Sequence, residues 1–289
     1  MATKIGVIGG SGFYEIEGIK AIKKNKLETP FGEPSDEFVT GILEGVEVVF
    51  LARHGAGHRI SPTEINYRAN IYGMKKLGVE KIISISSCGS LKRELKPMDI
   101  VIPDQLVDRT NHARKMTFFG EGVVAHIQFA EPFCAELSKA LYDAGSAAGA
   151  TMHLGGVYIN MEGPQFSTKA ESRLYRSWGI DIIGMTNLAE AKLAREAEIC
   201  YATIACVTDY DCWHMDETNE TVSVEVIIQN FTKNILTAKN ILKTVLPKLK
   251  ADRQCACSSA LENAIITRPD VIPAPAKKKL DLIIGKYVK

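Results

Sequence analysis

Short apolar runs alternate with longer amphipathic stretches along most of the chain. Lys4 to Ile8 is an apolar run of strand length, cut off by Gly9-Gly10-Ser11-Gly12. Phe38 to Leu43 and Val46 to Leu51 flank Glu44-Gly45 and predict a hairpin. Between Thr63 and Leu77 the residues Ile65, Ala69, Tyr72 and Met74 return at helical spacing, with Gly78 placed to end the helix. Lys81 to Ser87 predicts another strand, closed by Cys88-Gly89-Ser90, and Ile100 to Val107 an extended segment broken near Pro103. Residues 109–130 read as a long loop. Pro132 to Ala148, Thr168 to Trp178 and Asn187 to Ala197 predict helices, the first with Pro132 in its opening turn. Gly155 to Met161, Asp181 to Gly184 and the apolar run Ile199 to Val207 predict strands. Thr221 to Leu249 predicts one long helix or two, and the proline-bearing remainder, residues 250–289, a peripheral segment. This alternation predicts a single α/β domain over residues 1–289, with a mixed central sheet and helices on both faces.

Composition narrows the function classes. Lys plus Arg number 35 against 34 Asp plus Glu, a formal net charge of +1, so no broad field draws the chain to nucleic acid or a membrane. The apolar run near Met1 is too short for a signal-peptide core or a membrane span, and a cytoplasmic protein is expected. Seven cysteines, an odd number, then predict reduced thiols.

Four strand ends carry candidate chemistry, where open α/β sheets bind ligands. Gly9-Gly10-Ser11-Gly12 lets backbone N–H groups approach an anion and adds the Ser11 hydroxyl. It is neither a Walker loop nor the dinucleotide fingerprint, since Glu15 stands where the last glycine belongs. Arg53-His54 offers forked donors, and Ser86 heads a hydroxyl-rich turn. Each alone also reads as a turn or a solvated pair, but together Ser11, Arg53, His54 and Ser86 predict a phosphate site. The fourth end, Thr208-Asp209-Tyr210-Asp211, sets two carboxylates two residues apart after a buried strand. Such a pair can accept from an exocyclic amine and protonate a ring nitrogen, which suggests a 6-amino purine; a solvated loop is the plain alternative. Phe166 is a candidate face for stacking a base. No metal is expected: no His or Glu near Asp209 completes a ligand set, and Cys255-Ala256-Cys257 has no second pair at finger spacing.

From Ile5 to about Pro247 these segments resemble the methylthioadenosine-cleaving, trimeric branch of the purine nucleoside phosphorylase family. The resemblance rests on Gly9-Gly10-Ser11-Gly12, Arg53-His54-Gly55, Asn66-Tyr67-Arg68-Ala69-Asn70-Ile71, Cys88-Gly89-Ser90-Leu91, Asp108-Arg109-Thr110, Ala130-Glu131-Pro132-Phe133-Cys134, Glu162-Gly163-Pro164-Gln165-Phe166-Ser167 and Thr208-Asp209-Tyr210-Asp211-Cys212-Trp213. It implies reversible phosphorolysis of methylthioadenosine to adenine and 5-methylthioribose-1-phosphate, with inorganic phosphate as co-substrate and no cofactor. By the family pattern Ser11, Arg53, His54 and Ser86 hold phosphate, Phe166 packs on the base and Met185 on the ribose. His126 reaches the 5′ end of a ligand in a neighbouring subunit of a homotrimer or dimer of trimers. Val224, Ile227 and Ile228 wall the methylthio group; their i, i+3, i+4 spacing suits a plain core stripe equally.

Asp209 is the expected general acid to N7, with a pKa raised by burial and by Asp211, which stays charged and accepts from the amine. The rivals are a 6-oxopurine or methylthioinosine phosphorylase on the same fold, a non-catalytic nucleoside binder, and a dinucleotide-dependent oxidoreductase. The Cys-x-Cys segment is similar to that of family members from hyperthermophilic archaea. That likeness implies a Cys255–Cys257 disulfide and a second bridge within Cys134, Cys200 and Cys206.

Overall fold

The computed structural model describes residues 3–10, 17–214, 224–250 and 252–288. In chain order its main elements are β1 (Lys4–Gly9), β2 (Lys20–Asn25), β3 (Phe38–Leu43), β4 (Val46–Ala52), α1 (Tyr67–Lys76), β5 (Val79–Ser90), β6 (Ile100–Ile102), β7 (Gln105–Arg109), α2 (Ala135–Ala147), β8 (Met152–Leu154), β9 (Val157–Met161), α3 (Lys169–Ser177), β10 (Ile182–Gly184), α4 (Asn187–Glu196), β11 (Cys200–Asp209), α5 (Val224–Val245) and α6 (Ala274–Ile284). One mixed sheet runs β2-β3-β4-β1-β5-β10-β9-β7, and β11, β6 and β8 branch from it at β5. Parallel pairs at β1, β4, β5 and β11 make up its centre. These strands are apolar on both sides because both faces are covered. Ile83, Ile85 and Ile204 pack under α2 and α5, while Ile8, Ile82 and Tyr201 pack with residues of α1, α4 and α6.

The branch at β5 sets up the site. Its first part runs parallel to β11, but its end, Gly89 and Ser90, pairs antiparallel with β10. The β5–β11 register shifts between Val207 and Asp209, a bulge that leaves Asp209 opposite Gly89 at the fork between β10 and β11. Gly89 sits in the fork: a β-carbon there would come within 3.1 Å of both the Asp209 Oδ1 and Ile183. Only a residue without a side chain fits between those strands without pushing them apart.

Several sequence expectations shift by a turn. The helix expected from Thr63 starts at Tyr67, because Asn66 is its N-cap and its side chain accepts the Ala69 N–H. Pro132 precedes α2 rather than opening it, since the Cys134 N–H is spent on the Tyr201 carbonyl across to β11. Gly155 and Gly156, both at positive φ, delay the strand expected over 155–161 to β9, and β8 just before them was not expected. Cys88-Gly89-Ser90 belongs to β5 instead of closing it, and β2, charged and exposed, was invisible to apolar periodicity. Residues 224–245 form a single helix, and Thr221 lies outside the described residues.

Two further expectations are corrected. The segment after residue 250 is not peripheral: Leu261, Ala264, Ile272, Leu280 and Ile284 are buried in the core shared with α1 and α4. All seven cysteines are free thiols, so neither expected disulfide is formed. Among the described residues no helix is long and apolar enough to cross a membrane.

Candidate functional site

β4 ends by handing Arg53 to the sheet centre, with the Arg53 N–H bonded to the Gly9 carbonyl at 2.9 Å. The Arg53 side chain is 3 % exposed. It donates from Nε and Nη2 to both carboxylate oxygens of Glu190, from Nη1 to the Ile85 carbonyl at 3.0 Å, and from Nη2 to Ser84 Oγ at 2.6 Å. Burial works against the guanidinium charge, but Glu190 outweighs it and holds the group above its ordinary value. Glu190 was not foreseen. It lies on the α4 face turned to the sheet and also accepts from Ser84 and the Tyr201 hydroxyl. The only available signal was a carboxylate in the first turn of an alanine- and leucine-rich helix that also ends on Glu196. Most of the arginine fork expected to face phosphate is thus taken, and one Nη1 N–H remains without a protein acceptor among the described residues.

Ser86 follows Ser84 by two residues on β5 and therefore lies on the same sheet face. Its buried Oγ has no hydrogen-bond partner of proper geometry, and neither has the buried Tyr158 hydroxyl, whose loose contact is with Ser86. Leaving such groups unpaired costs about 1–3 kcal/mol each, so a ligand oxygen here would be stabilising. His54 is partly buried, with Nδ1 2.8 Å from the Ile60 carbonyl and its ring stacked on His58. A carbonyl can only accept, so Nδ1 carries the proton in the neutral ring and Nε2 the lone pair. Burial first, then the Arg53 charge, lower the pKa of His54 to about 4. His54 is therefore a neutral acceptor at Nε2, where a further donor to phosphate was expected. Ser11 lies outside the described residues.

Asp209 ends β11 four residues beyond Ala205, the partner of Ser86, about 13 Å along the strand. Its Oδ2 accepts from Thr208 Oγ1 at 2.7 Å and its Oδ1 from the Asp211 N–H at 2.9 Å. Burial raises its pKa to about 6 against those two bonds, with the Asp211 charge adding to the rise. Asp211, at φ +45°, is buried, and its Oδ2 accepts from Ser172 Oγ at 2.6 Å. Burial raises its pKa as well, while the Ser172 bond works to keep it ionised. Asn230 and Asn234 of α5 tie that helix to the Thr208 and Val207 carbonyls and lock the end of β11.

The base and ribose candidates come from two neighbouring loops. Phe166 is 46 % exposed after β9, a face available to a ligand, whereas Met185 follows β10 and packs on Gly163. Both loops are held by one residue the sequence did not single out. Arg114, buried in the long segment read as a loop, donates to the Glu162 carboxylate at 2.8 Å and to the carbonyls of Glu162 and Met185, and at 3.2 Å to the Tyr67 hydroxyl. Burial would raise the Glu162 pKa, but Thr63 and Arg114 bring it below its ordinary value. Arg114→Ala is expected to free both loops and lower kcat/KM about 100-fold, the usual effect of a misplaced positioning group. Steady-state kinetics on the folded variant checks this, and a loss under threefold would remove Arg114 from that role.

The remaining candidates are not brought to this cleft by contacts within one chain. Val224 and Ile228 are 60 % and 58 % exposed on the first turns of α5, with Ile227 partly buried between them. The spacing left a core stripe open as a reading, and their exposure removes it for these two residues. His126 is exposed, its backbone N–H bonded to the Ala264 carbonyl.

Residues 4–247 match the family described as the phosphorylase superfamily. A Geobacter sulfurreducens protein named S-methyl-5′-thioadenosine phosphorylase is 62 % identical over 288 residues, covering 100 % of both chains. A methylthioadenosine phosphorylase sourced from an antarctic soil metagenomic library superposes with a TM-score of 0.92 at 47 % identity, covering 98 % of this chain and 99 % of that one. The Schistosoma mansoni methylthioadenosine phosphorylase in complex with adenine superposes with a TM-score of 0.85 at 34 % identity, covering 91 % and 99 %.

Proposed function

We propose, for a chain that belongs to the phosphorylase superfamily, the reversible phosphorolysis of 5′-methylthioadenosine to adenine and 5-methylthioribose-1-phosphate. The single observation that carries the reading is Asp209, a carboxyl with its pKa raised to about 6, on the strand that also pairs with the unsatisfied Ser86. The names of the full-length relatives support the same substrate.

Cleavage of the glycosidic bond builds positive charge on the ribose and negative charge on the purine. Phosphate under the sugar stabilises the first and takes the anomeric carbon; a proton from Asp209 to N7 stabilises the second. Asp211 accepts from the 6-amino group through the oxygen that Ser172 leaves open. Phosphate is held by Ser11, Ser86, the spare Arg53 N–H and His54. Since Nε2 of His54 is an acceptor, it takes the hydroxyl of monohydrogen phosphate and leaves the unprotonated oxygens for Ser86 and Arg53. Phe166 covers the base and Met185 the ribose. Val224, Ile227 and Ile228 form the wall for the methylthio group, and His126 serves the 5′ end of a ligand bound in a neighbouring copy, within a homotrimer or dimer of trimers. Inorganic phosphate is the only co-substrate, and a cytoplasmic location suits seven thiols.

Adenine release from methylthioadenosine, followed chromatographically with and without phosphate, tests this. Turnover is expected only with phosphate. Adenosine is expected to serve as a weaker second substrate, because one apolar 5′ contact discriminates by only about 1–3 kcal/mol. Inosine presents an acceptor to acceptors and should trail the adenine nucleosides by roughly ten- to a hundredfold. Inosine matching methylthioadenosine in kcat/KM would favour the 6-oxopurine alternative instead.

A further inference from the structure

The sulfur atoms of Cys134, Cys200, Cys255 and Cys257 all lie within 4.8 Å of one another. They come from three separate places. Cys134 is the N-cap of α2, Cys200 opens β11, and Cys255 and Cys257 flank the start of a 3-10 turn, Ala256–Ser259, in the C-terminal segment. Cys134, Cys200 and Cys257 are buried and Cys255 partly so. The other three cysteines, Cys88, Cys206 and Cys212, stand outside the group.

The Sγ atoms of Cys200 and Cys255 are 3.3 Å apart. A disulfide needs about 2.05 Å. Four thiolates around one ion, each bonded at about 2.3 Å in a tetrahedron, keep neighbouring sulfurs about 3.8 Å apart. The spacing of the cluster therefore sits near the second value and well away from the first. Four sulfurs with no oxygen donor select a borderline-soft tetrahedral ion over magnesium or calcium. All four positions are filled by protein, so no coordination site stays open for substrate, which is the pattern of a structural centre.

The surroundings suit a negative ion–thiolate group. Cys134 stands at the N-cap of α2, so its sulfur lies by the free N–H groups of the first turn. The positive end of that helix faces the doubly negative charge that four thiolates and one divalent ion would carry. The finger-spacing argument considered only a second pair close in sequence, whereas the fold brings Cys134 and Cys200 from distant elements.

We propose that Cys134, Cys200, Cys255 and Cys257 bind one zinc ion, which fastens the C-terminal segment to the head of α2 and the start of β11. Binding is ligand exchange: four S–H protons pass to solvent, four Zn–S bonds form, and no electron is transferred. The segment so fastened goes on to bury Leu261 and Ala264 in the core, and Leu261 N–H and Arg253 bond to Glu198 in the turn just before β11. Zinc thus joins the last part of the chain to the sheet independently of the catalytic fork.

The test uses the full chain, purified in reducing buffer without added metal or chelator. Elemental analysis is expected to find about one zinc per chain, released by a mercurial thiol reagent and read with a chromophoric zinc indicator. Cobalt exchanged into the site should show the visible bands and sulfur-to-metal charge transfer of a tetrahedral tetrathiolate. Cys255→Ser with Cys257→Ser should lose the ion, and Cys88→Ser or Cys206→Ser should keep it. Should the double-serine variant not fold, dialysis of the unaltered chain against a chelator gives a second reading: Tm falls by several degrees and returns with zinc but not with magnesium. Substoichiometric metal in the purified chain, iron in place of zinc, or a non-reduced mass lighter than the reduced chain by paired hydrogens would each overturn the proposal; the last would restore disulfides to these sulfurs.

Discussion

Asp209→Asn is expected to lower phosphorolysis by about 10²- to 10⁴-fold, the range supplied by a positioned general acid, and to raise stability at the same time. The fold tolerates the change. Asparagine Oδ1 can still accept the Asp211 N–H, and its amide can donate to Thr208 Oγ1, whose proton then turns from residue 209 to the Cys88 carbonyl 3.2 Å away. What is lost is a proton that can be given to N7. In the parent, that proton is present only below the carboxyl's pKa, which burial raises to about 6. At saturating phosphate, kcat/KM for methylthioadenosine should therefore fall as pH rises above about 6, and this limb should be missing from the residual activity of the variant.

The stability change follows from the same shift, with its sign worked through linkage. The folded pKa is above the unfolded one, so the folded chain holds the proton more tightly. The resulting stabilisation is complete below about pH 4 and is lost as pH rises through about 6, leaving the charged group a burden at pH 7. Two pKa units correspond to at most about 3 kcal/mol, and partial accessibility of the residue reduces that. The asparagine variant should thus unfold at higher denaturant at pH 7 and lose the advantage near pH 4. An active Asp209→Asn enzyme, or one less stable than the parent at pH 7, would remove the residue from the acid role.

The sequence was most legible where one side chain carries its own chemistry. Asp209 and Asp211 were recognisable because two carboxylates directly after an apolar strand need a reason, and the strand itself was found nearly to its ends. Arg53 was seen but its partner was not. Glu190 lies far along the chain on a helix, and nothing in local spacing says that its carboxylate turns inward to a buried guanidinium. Arg114 escaped for the same reason, being a cation in an irregular stretch whose importance lies entirely in which carbonyls it reaches. The tautomer of His54 depends on a carbonyl six residues away and on a turn through Gly55 and Gly57 at positive φ. The C-terminal segment was misread because its apolar residues are spread among prolines and lysines, and only the assembled core shows them buried. Local propensity and pattern thus located most strands and the candidate proton donor, whereas every long-range polar pairing had to wait for the fold.

The largest loss of stability is expected from Glu190→Leu. The carboxylate satisfies three buried groups: the Arg53 guanidinium, the Ser84 hydroxyl and the Tyr201 hydroxyl. Removing it leaves a buried positive charge uncompensated, which costs about 3–5 kcal/mol. Arg53→Met leaves the opposite charge buried, with only the two hydroxyls to hold it, and should cost nearly as much. The pair is a better test than either change alone. Arg53→Met combined with Glu190→Leu removes both charges, so the double variant should be more stable than the sum of the two losses predicts, by well over 1 kcal/mol of coupling. Recovery stays incomplete because the Tyr201 hydroxyl loses its acceptor, a further cost of about 1–3 kcal/mol. Function separates from stability at this point: the double variant should fold yet fail to saturate with phosphate, since the one spare arginine donor beside Ser86 is gone. Denaturant midpoints for the four proteins, with phosphate dependence measured on those that fold, decide between the readings. Additive losses would mean the ion pair is not coupled, and normal phosphate saturation in the double variant would move the anion site away from Arg53.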